Sequence, residues 1–150
     1  MRSVAVLLAF VAAVAAAASF GAGYQPGAWY AALAKPSWTP PNSWFPVAWT
    51  ILYVMIALAG WFAWRAVGWT GLLNVWLGQL ALNASWSWVM FGQHRIFAAL
   101  LVITGLWLLI VAFTFGAWRS ARPAALLFLP YLAWVSFAWT LNAGVWWLNG

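Results

Sequence analysis

The hydrophobic positions of this chain run on without the polar interruptions of a water-soluble fold. Five stretches, Val4 to Phe20, Phe45 to Trp64, Thr70 to Phe91, Ile96 to Ala117 and Pro123 to Leu148, contain no charged residue. Each is close to the roughly 20 residues that carry a helix across about 30 Å of hydrocarbon. Inside a bilayer every backbone amide must find its partner within the protein, which leaves helices and closed barrels as the spanning structures. Continuous runs, in place of short alternating segments, select helices. The pattern therefore predicts an all-α integral membrane protein: a single domain over residues 1–150, built as a bundle of five transmembrane helices. The first run also has the layout of a secretory signal, with Met-Arg before an apolar stretch that ends rich in alanine. Its removal would leave four helices.

The connection between the first two runs, residues 21–44, stands apart. It reads GAGYQPGAWYAALAKPSWTPPNSW, far longer than the other connections, and long segments of this kind in compact domains are functional or disordered. Its aromatic content argues against disorder. Gly27 to Ala34 predicts a short amphipathic helical turn ended by Lys35-Pro36, and Pro36, Pro40 and Pro41 stiffen the remainder of the segment. An aromatic belt at the membrane interface accounts for the same residues. Pro46 and Pro130 read as helix-start signals.

Polar residues within the runs cost energy unless they are paired or line a cavity. On the third run Trp76, Gln79, Asn83, Trp86 and Met90 recur at spacings of three and four, so they share one helical face. Ser87 extends it from Asn83. Tryptophan rings with an amide between them suit a flat, partly polar ligand, the rings stacking and the amide orienting. Amides also serve as glue between transmembrane helices. Trp49, Tyr53, Ile56 and Gly60 on the second run form a compatible face, as do Tyr131, Trp134, Ala138, Leu141 and Val145 on the fifth.

Composition narrows the chemistry. The chain has 16 tryptophans and no Asp, Glu or Cys. Only 4% of its residues are charged, against roughly 25% in a soluble domain. Without carboxylates there is no paired-acid hydrolase site, no Asp-oriented triad and no acidic cage for calcium or magnesium. Without cysteine there is no disulfide, thiolate metal site or thiol nucleophile. The net charge of +6 is scattered, so it forms no phosphate-tracking stripe and nucleic acid is not an expected partner. Arg2, Arg65, Arg119 and Arg122 fall on one side of the implied alternation, with Lys35 and Arg95 on the other. The positive-inside rule then puts the N-terminus in the cytoplasm. His94, the only histidine, sits beside Arg95 in a short connection and is a weak candidate for haem iron.

Three motifs, WYAALAKPSWTPPNSWFPVAWTILY from Trp29 to Tyr53, QLALNASWSWVMFG from Gln79 to Gly92 and PYLAWVSFAWTLN from Pro130 to Asn142, resemble the TspO/MBR family in order and over essentially the whole chain. These are the tryptophan-rich sensory proteins of bacteria and the translocator protein, or peripheral-type benzodiazepine receptor, of mitochondria. The resemblance implies a five-helix bundle, often a homodimer, in a bacterial cell membrane. Its pocket beneath the long first loop would take porphyrin or a haem-like tetrapyrrole as ligand, and sterols or isoquinoline-type compounds, with no cofactor required. Carried onto this sequence, Tyr30 and Trp38 would be lid residues, Trp49, Asn83, Trp134 and Ala138 would line the pocket, and Trp86 and Phe91 would join them from the third helix. Lys35, His94 or Arg95 would meet ligand propionates near the interface. The implied role is a membrane receptor or carrier. The alternatives are a light- and oxygen-dependent porphyrin-degrading activity with tryptophans as redox participants, and a membrane interaction protein that binds no ligand. The chain departs from the family in three respects, one being the complete absence of Asp and Glu. Ala143 and Trp147 stand where the sterol-recognition pattern has Tyr and a basic residue, and Asn74 replaces the first glycine of a GxxxG whose second is Gly78.

Overall fold

A computed structural model describes residues 1–150, and all its regular structure is helical. The elements are α1 (Arg2–Ala22), the short α2 (Ala28–Ala32), α3 (Trp44–Val67), α4 (Gly71–Ser87), a π turn (Trp88–Gly92), α5 (Ile96–Ser120) and α6 (Arg122–Asn149). Four helices, α1, α3, α5 and α6, are long and apolar enough to cross a membrane. The segment expected as the third span is instead α4, a helix of 17 residues, continued by the five-residue π turn. In that turn the Gln93 amide donates to the Trp88 carbonyl at 2.9 Å, and the Arg95 amide to Val89 at 3.1 Å. The wider hydrogen-bond step rotates the side chains beyond it relative to those of α4.

The packing forms a ring in which α1 lies against α3, α3 against α6, α6 against α5, α5 against α4, and α4 against α1. The Trp61 indole donates to the Ser3 carbonyl at 3.0 Å, joining the end of α3 to the start of α1. Phe113 and Phe128 meet at 4.1 Å between the second half of α5 and the first half of α6. Such antiparallel neighbours bring Arg2, Arg65, Arg119 and Arg122 to one end of the bundle. Arg65 and Arg122 lie over the rings of Trp61 and Trp118 there.

Small residues let the helices close at the arginine end. Ala57, Ala59, Gly60, Ala63, Ala117, Ala121, Ala124 and Ala125 are all buried, and Phe10 from α1 packs over Gly60, edge-on to Trp76 at 4.9 Å. A Cβ at Gly60 would come within 2.7 Å of both rings, so only glycine permits this approach. α1 is thus a structural member of the ring. Pro130 corrects a sequence expectation: it lies inside α6 and is not at its start. The proline at the head of α6 is Pro123, where a missing amide costs little. Pro130 has no N–H for the carbonyl one turn back.

Candidate ligand-binding site

Toward the opposite end the ring of helices surrounds a cavity of about 550 Å³, within the roughly 300–1,000 Å³ common for small-molecule sites. Its origin lies in α1. At the level of Gly60 that helix supplies Phe10, followed by buried Val14 and Ala17, but what it puts on the cavity wall further along is Ala18, Gly21 and Ala22. The three aromatic stripes continue past the point where a plug is available, and their rings are left facing space.

Trp49 is the centre of the wall. Its ring stacks on Tyr53 at 5.5 Å and stands edge-on to Tyr131 at 6.3 Å and to Trp134 at 6.5 Å. Phe45 meets Trp134 at 5.8 Å. Offset and edge-to-face geometries of this kind are the favourable ones for ring quadrupoles. The floor is a chain of hydrogen bonds. The Tyr53 hydroxyl donates to Asn83 Oδ1 at 3.2 Å, Asn83 Nδ2 donates to the Tyr131 hydroxyl at 2.7 Å, and that hydroxyl donates to Gln79 Oε1 at 2.8 Å. This chain fixes three helices in register and holds the Asn83 amide at the cavity wall. A second amide does the same nearer the loop: Asn142 Oδ1 accepts from the Trp86 indole at 3.0 Å, and its Nδ2 donates to the Ile96 carbonyl at 3.2 Å.

Two buried donors have no partner, Gln79 Nε2 and Trp134 Nε1. Native interiors leave few such groups. Gln79 belongs to the hydrogen-bonded floor, whereas Trp134 belongs to the cavity wall, which it lines with its ring while its Nε1 is itself buried. No Lys, Arg or His lines the cavity. The site therefore offers stacking, burial and neutral hydrogen bonding. Lys35, His94 and Arg95 all lie outside the wall. Lys35 Nζ donates to the carbonyls of Ala31 and Leu33 and lies over the Tyr30 ring, while His94 stacks on Trp29 at 4.2 Å.

The loop over this end is anchored on both flanks. On one, Tyr30 in α2 packs edge-on against Phe91 at 5.2 Å, and Phe91 packs the same way against Trp86 at 5.4 Å. Burial in this contact pushes the Tyr30 phenol above its ordinary value of 10.0. On the other flank the loop runs antiparallel to the end of α6. Asn149 accepts from the Ala34 amide at 3.0 Å and donates to its carbonyl at 2.8 Å. Buried Pro36 lies so close over Gly144 that a Cβ there would overlap its ring. The Trp38 indole donates to the Thr140 hydroxyl at 3.3 Å.

Of the residues singled out from sequence, Tyr30, Trp49, Asn83, Trp86, Phe91, Trp134 and Ala138 all lie on the cavity wall. Trp38 does not; it is exposed and fastens the loop to α6 from outside. Sequence reasoning missed Asn142 and the pairing of Tyr53 with Tyr131 through Asn83. Asn142 carried a signal, standing one helical turn beyond Ala138 on the face already picked out. The stripe on the third run also divides: Asn83, Trp86 and Met90 face the cavity, while Trp76 is buried in the core with its indole on the Ile56 carbonyl at 3.0 Å.

Comparison with known proteins places the chain in context. Residues 4–148 match the TspO/MBR family. The chain is 38% identical to protein CrtK of Rhodobacter capsulatus, an alignment covering 98% of this chain and 94% of the relative. It is 39% identical to the tryptophan-rich sensory protein of Cereibacter sphaeroides, over 92% of this chain and 87% of the relative. To the translocator protein of Homo sapiens it is 38% identical, over 79% of this chain and 73% of the relative.

Proposed function

This chain belongs to the TspO/MBR family, and we propose that it is a membrane receptor or carrier for tetrapyrroles, porphyrin or a haem-like ring, and for related flat hydrophobic ligands. The observation that carries this reading is the cavity of about 550 Å³ whose wall combines Trp49, Trp86 and Trp134 with the fixed amides of Asn83 and Asn142. A large flat ring gains from burial and from stacking on several aromatic faces at once. Membrane residence follows from four helices of spanning length and apolarity together with the family. A sensory or transport role accords with relatives that carry the names sensory protein and translocator protein.

Three finer statements belong to the same proposal. Gly71 to Gly92, α4 with its π turn, acts as the fifth span, because it takes its place in the closed ring of helices. The arginine end faces the cytoplasm, since four of the six basic residues lie there. The protein works as a homodimer in a bacterial cell membrane.

Titration of the detergent-solubilised protein with protoporphyrin IX, followed by quenching of tryptophan fluorescence, tests the reading. One saturable site is expected, weakened about tenfold or more in Trp134→Phe with Ala138→Leu, as for a pocket that loses a contact and volume together. Linear quenching identical in both proteins would reduce the interaction to partitioning and overturn it.

A further inference from the structure

The cavity wall is not evenly covered. Its residues from α4, the π turn, α5 and α6, among them Asn83, Met90, Leu106, Val135 and Asn142, are all buried or half-buried. The exposed ones are Ala22, Gln25, Pro26, Asn42, Pro46 and Thr50. All six belong to the end of α1, the two ends of the loop, or the first turns of α3. The opening is therefore a seam between α1 and α3.

The packing of α1 explains why the seam parts. Near its start α1 is held to α3 through Ser3 and Trp61 and through Phe10 against Gly60. Near its end it turns to α4, with Gly21 facing Ser87. Tyr24, just beyond it, reaches Gly92 in the π turn. What α1 leaves along the cavity edge is small, Ala18, Gly21 and Ala22. Across from them stand Pro46 and Thr50, flanked on α3 by Val47, Ile51 and Val54, which are exposed at 53–63% and form an outward apolar face. That face belongs to a spanning helix, so its surroundings are hydrocarbon.

We infer that ligands reach this cavity sideways from the bilayer, through the α1–α3 seam and not by lifting the loop. The loop is fastened on both flanks, by Asn149, Pro36 over Gly144 and Trp38 on one side, and by Tyr24, Trp29 and Tyr30 on the other. Opening that way would break these contacts, whereas the seam has no side chain larger than alanine on its α1 edge. The seam is also graded. Gln25 and Asn42 form a polar rim at the loop end, and Ala22, Pro46 and Thr50 continue it toward the membrane interior. This suits an amphiphile already in the bilayer, its ring body in hydrocarbon and its acid groups at the headgroups. The inference rests on the binding reading above and adds to it the route by which the ligand arrives.

The test uses the protein in lipid vesicles preloaded with protoporphyrin IX, with association followed by rapid-mixing fluorescence. Thr50→Phe, at the exposed rim of the wall, should slow association and dissociation together by about tenfold. Val54→Ala, on the same helix but outside the cavity wall, should keep wild-type rates. Because the chain has no cysteine, an Ala34→Cys, Asn149→Cys disulfide can lock the loop, and it should leave both rates as they were. Slowing by the loop lock with Thr50→Phe at wild-type rates would overturn the seam. So would a Thr50→Phe effect confined to faster dissociation, which would make Thr50 an ordinary wall contact. Absence of saturable quenching in the unmodified protein would overturn the binding reading itself, and the seam with it.

Discussion

Trp76 and Trp134 show how one residue type serves opposite purposes in the two ends of this bundle. Trp76, at the arginine end, is 1% exposed, its indole donates to the Ile56 carbonyl, and Phe10 stands against its ring. Trp134, at the loop end, has neighbouring rings at 5.8 and 6.5 Å and an indole N–H with no partner. Both sit on stripes of identical spacing. What separates them is the opposing helix, which supplies Phe10 in one place and Ala18, Gly21 and Ala22 in the other. Tryptophan alone therefore marks neither core nor cavity; the small residues across from it decide which forms.

Tyr131 joins the two regions, packing on Phe128 toward the core and on Trp49 toward the cavity. Its hydroxyl donates to Gln79 and accepts from the Asn83 amide, and Gln79 already has one donor unpaired. Tyr131→Phe is expected to lower stability by about 1–2 kcal/mol, the range for orphaned buried polar groups moderated by the membrane setting. It should also free the Asn83 amide and weaken porphyrin binding. Thermal unfolding in detergent checks the first effect. An unchanged midpoint would mean the hydrogen-bond chain is not what couples the ends.

The loop belongs to the cavity end alone. Asn149→Ala removes both bonds to the Ala34 backbone, a local loss of about 1 kcal/mol, and should speed proteolysis and amide exchange across residues 33–40 while leaving the unfolding midpoint nearly unchanged. A global loss of stability would show that the loop is part of the core. Smaller still is the pH effect. Burial raises the Tyr30 phenol above 10.0, so the docked loop holds its proton more tightly than the undocked one. Docking is unaffected below that pH and weakens as pH rises above it, because the undocked phenol ionises first. Loop opening, taken as amide exchange relative to the intrinsic base-catalysed rate, should rise through the alkaline range in the wild type and stay flat in Tyr30→Phe.

Much of this was legible in the sequence because a bilayer enforces helices. The runs at 45–64 and 96–117 sit inside α3 (Trp44–Val67) and α5 (Ile96–Ser120). The helices extend past the apolar runs because polar end residues such as Arg65 and Arg119 still make helical hydrogen bonds at the interface. The π turn was not legible: Trp88–Phe91 holds no helix breaker, and Gly92, which does disfavour helix, stands only at its end, against the Tyr24 ring. Periodicity put Trp49, Asn83, Trp134 and Ala138 on inward faces, and they share the cavity wall. It could not place Trp38, because a loop has no period. Nor could it divide the third stripe between Trp76 and Asn83, since that boundary is set by Phe10 on a different helix.

The contrast between a filled end and a hollow end is tested most directly by enlarging one alanine in each and measuring unfolding midpoint and protoporphyrin affinity on both variants. Ala63 is fully buried at the arginine end and Ala138 lines the cavity. Ala63→Leu should cost about 1–3 kcal/mol by overpacking and leave Kd unchanged, whereas Ala138→Leu should keep the midpoint and weaken binding about tenfold by occupying ligand volume. Equal loss of stability in the two variants, with affinity untouched in both, would contradict the account and make the loop end a packed core like the other.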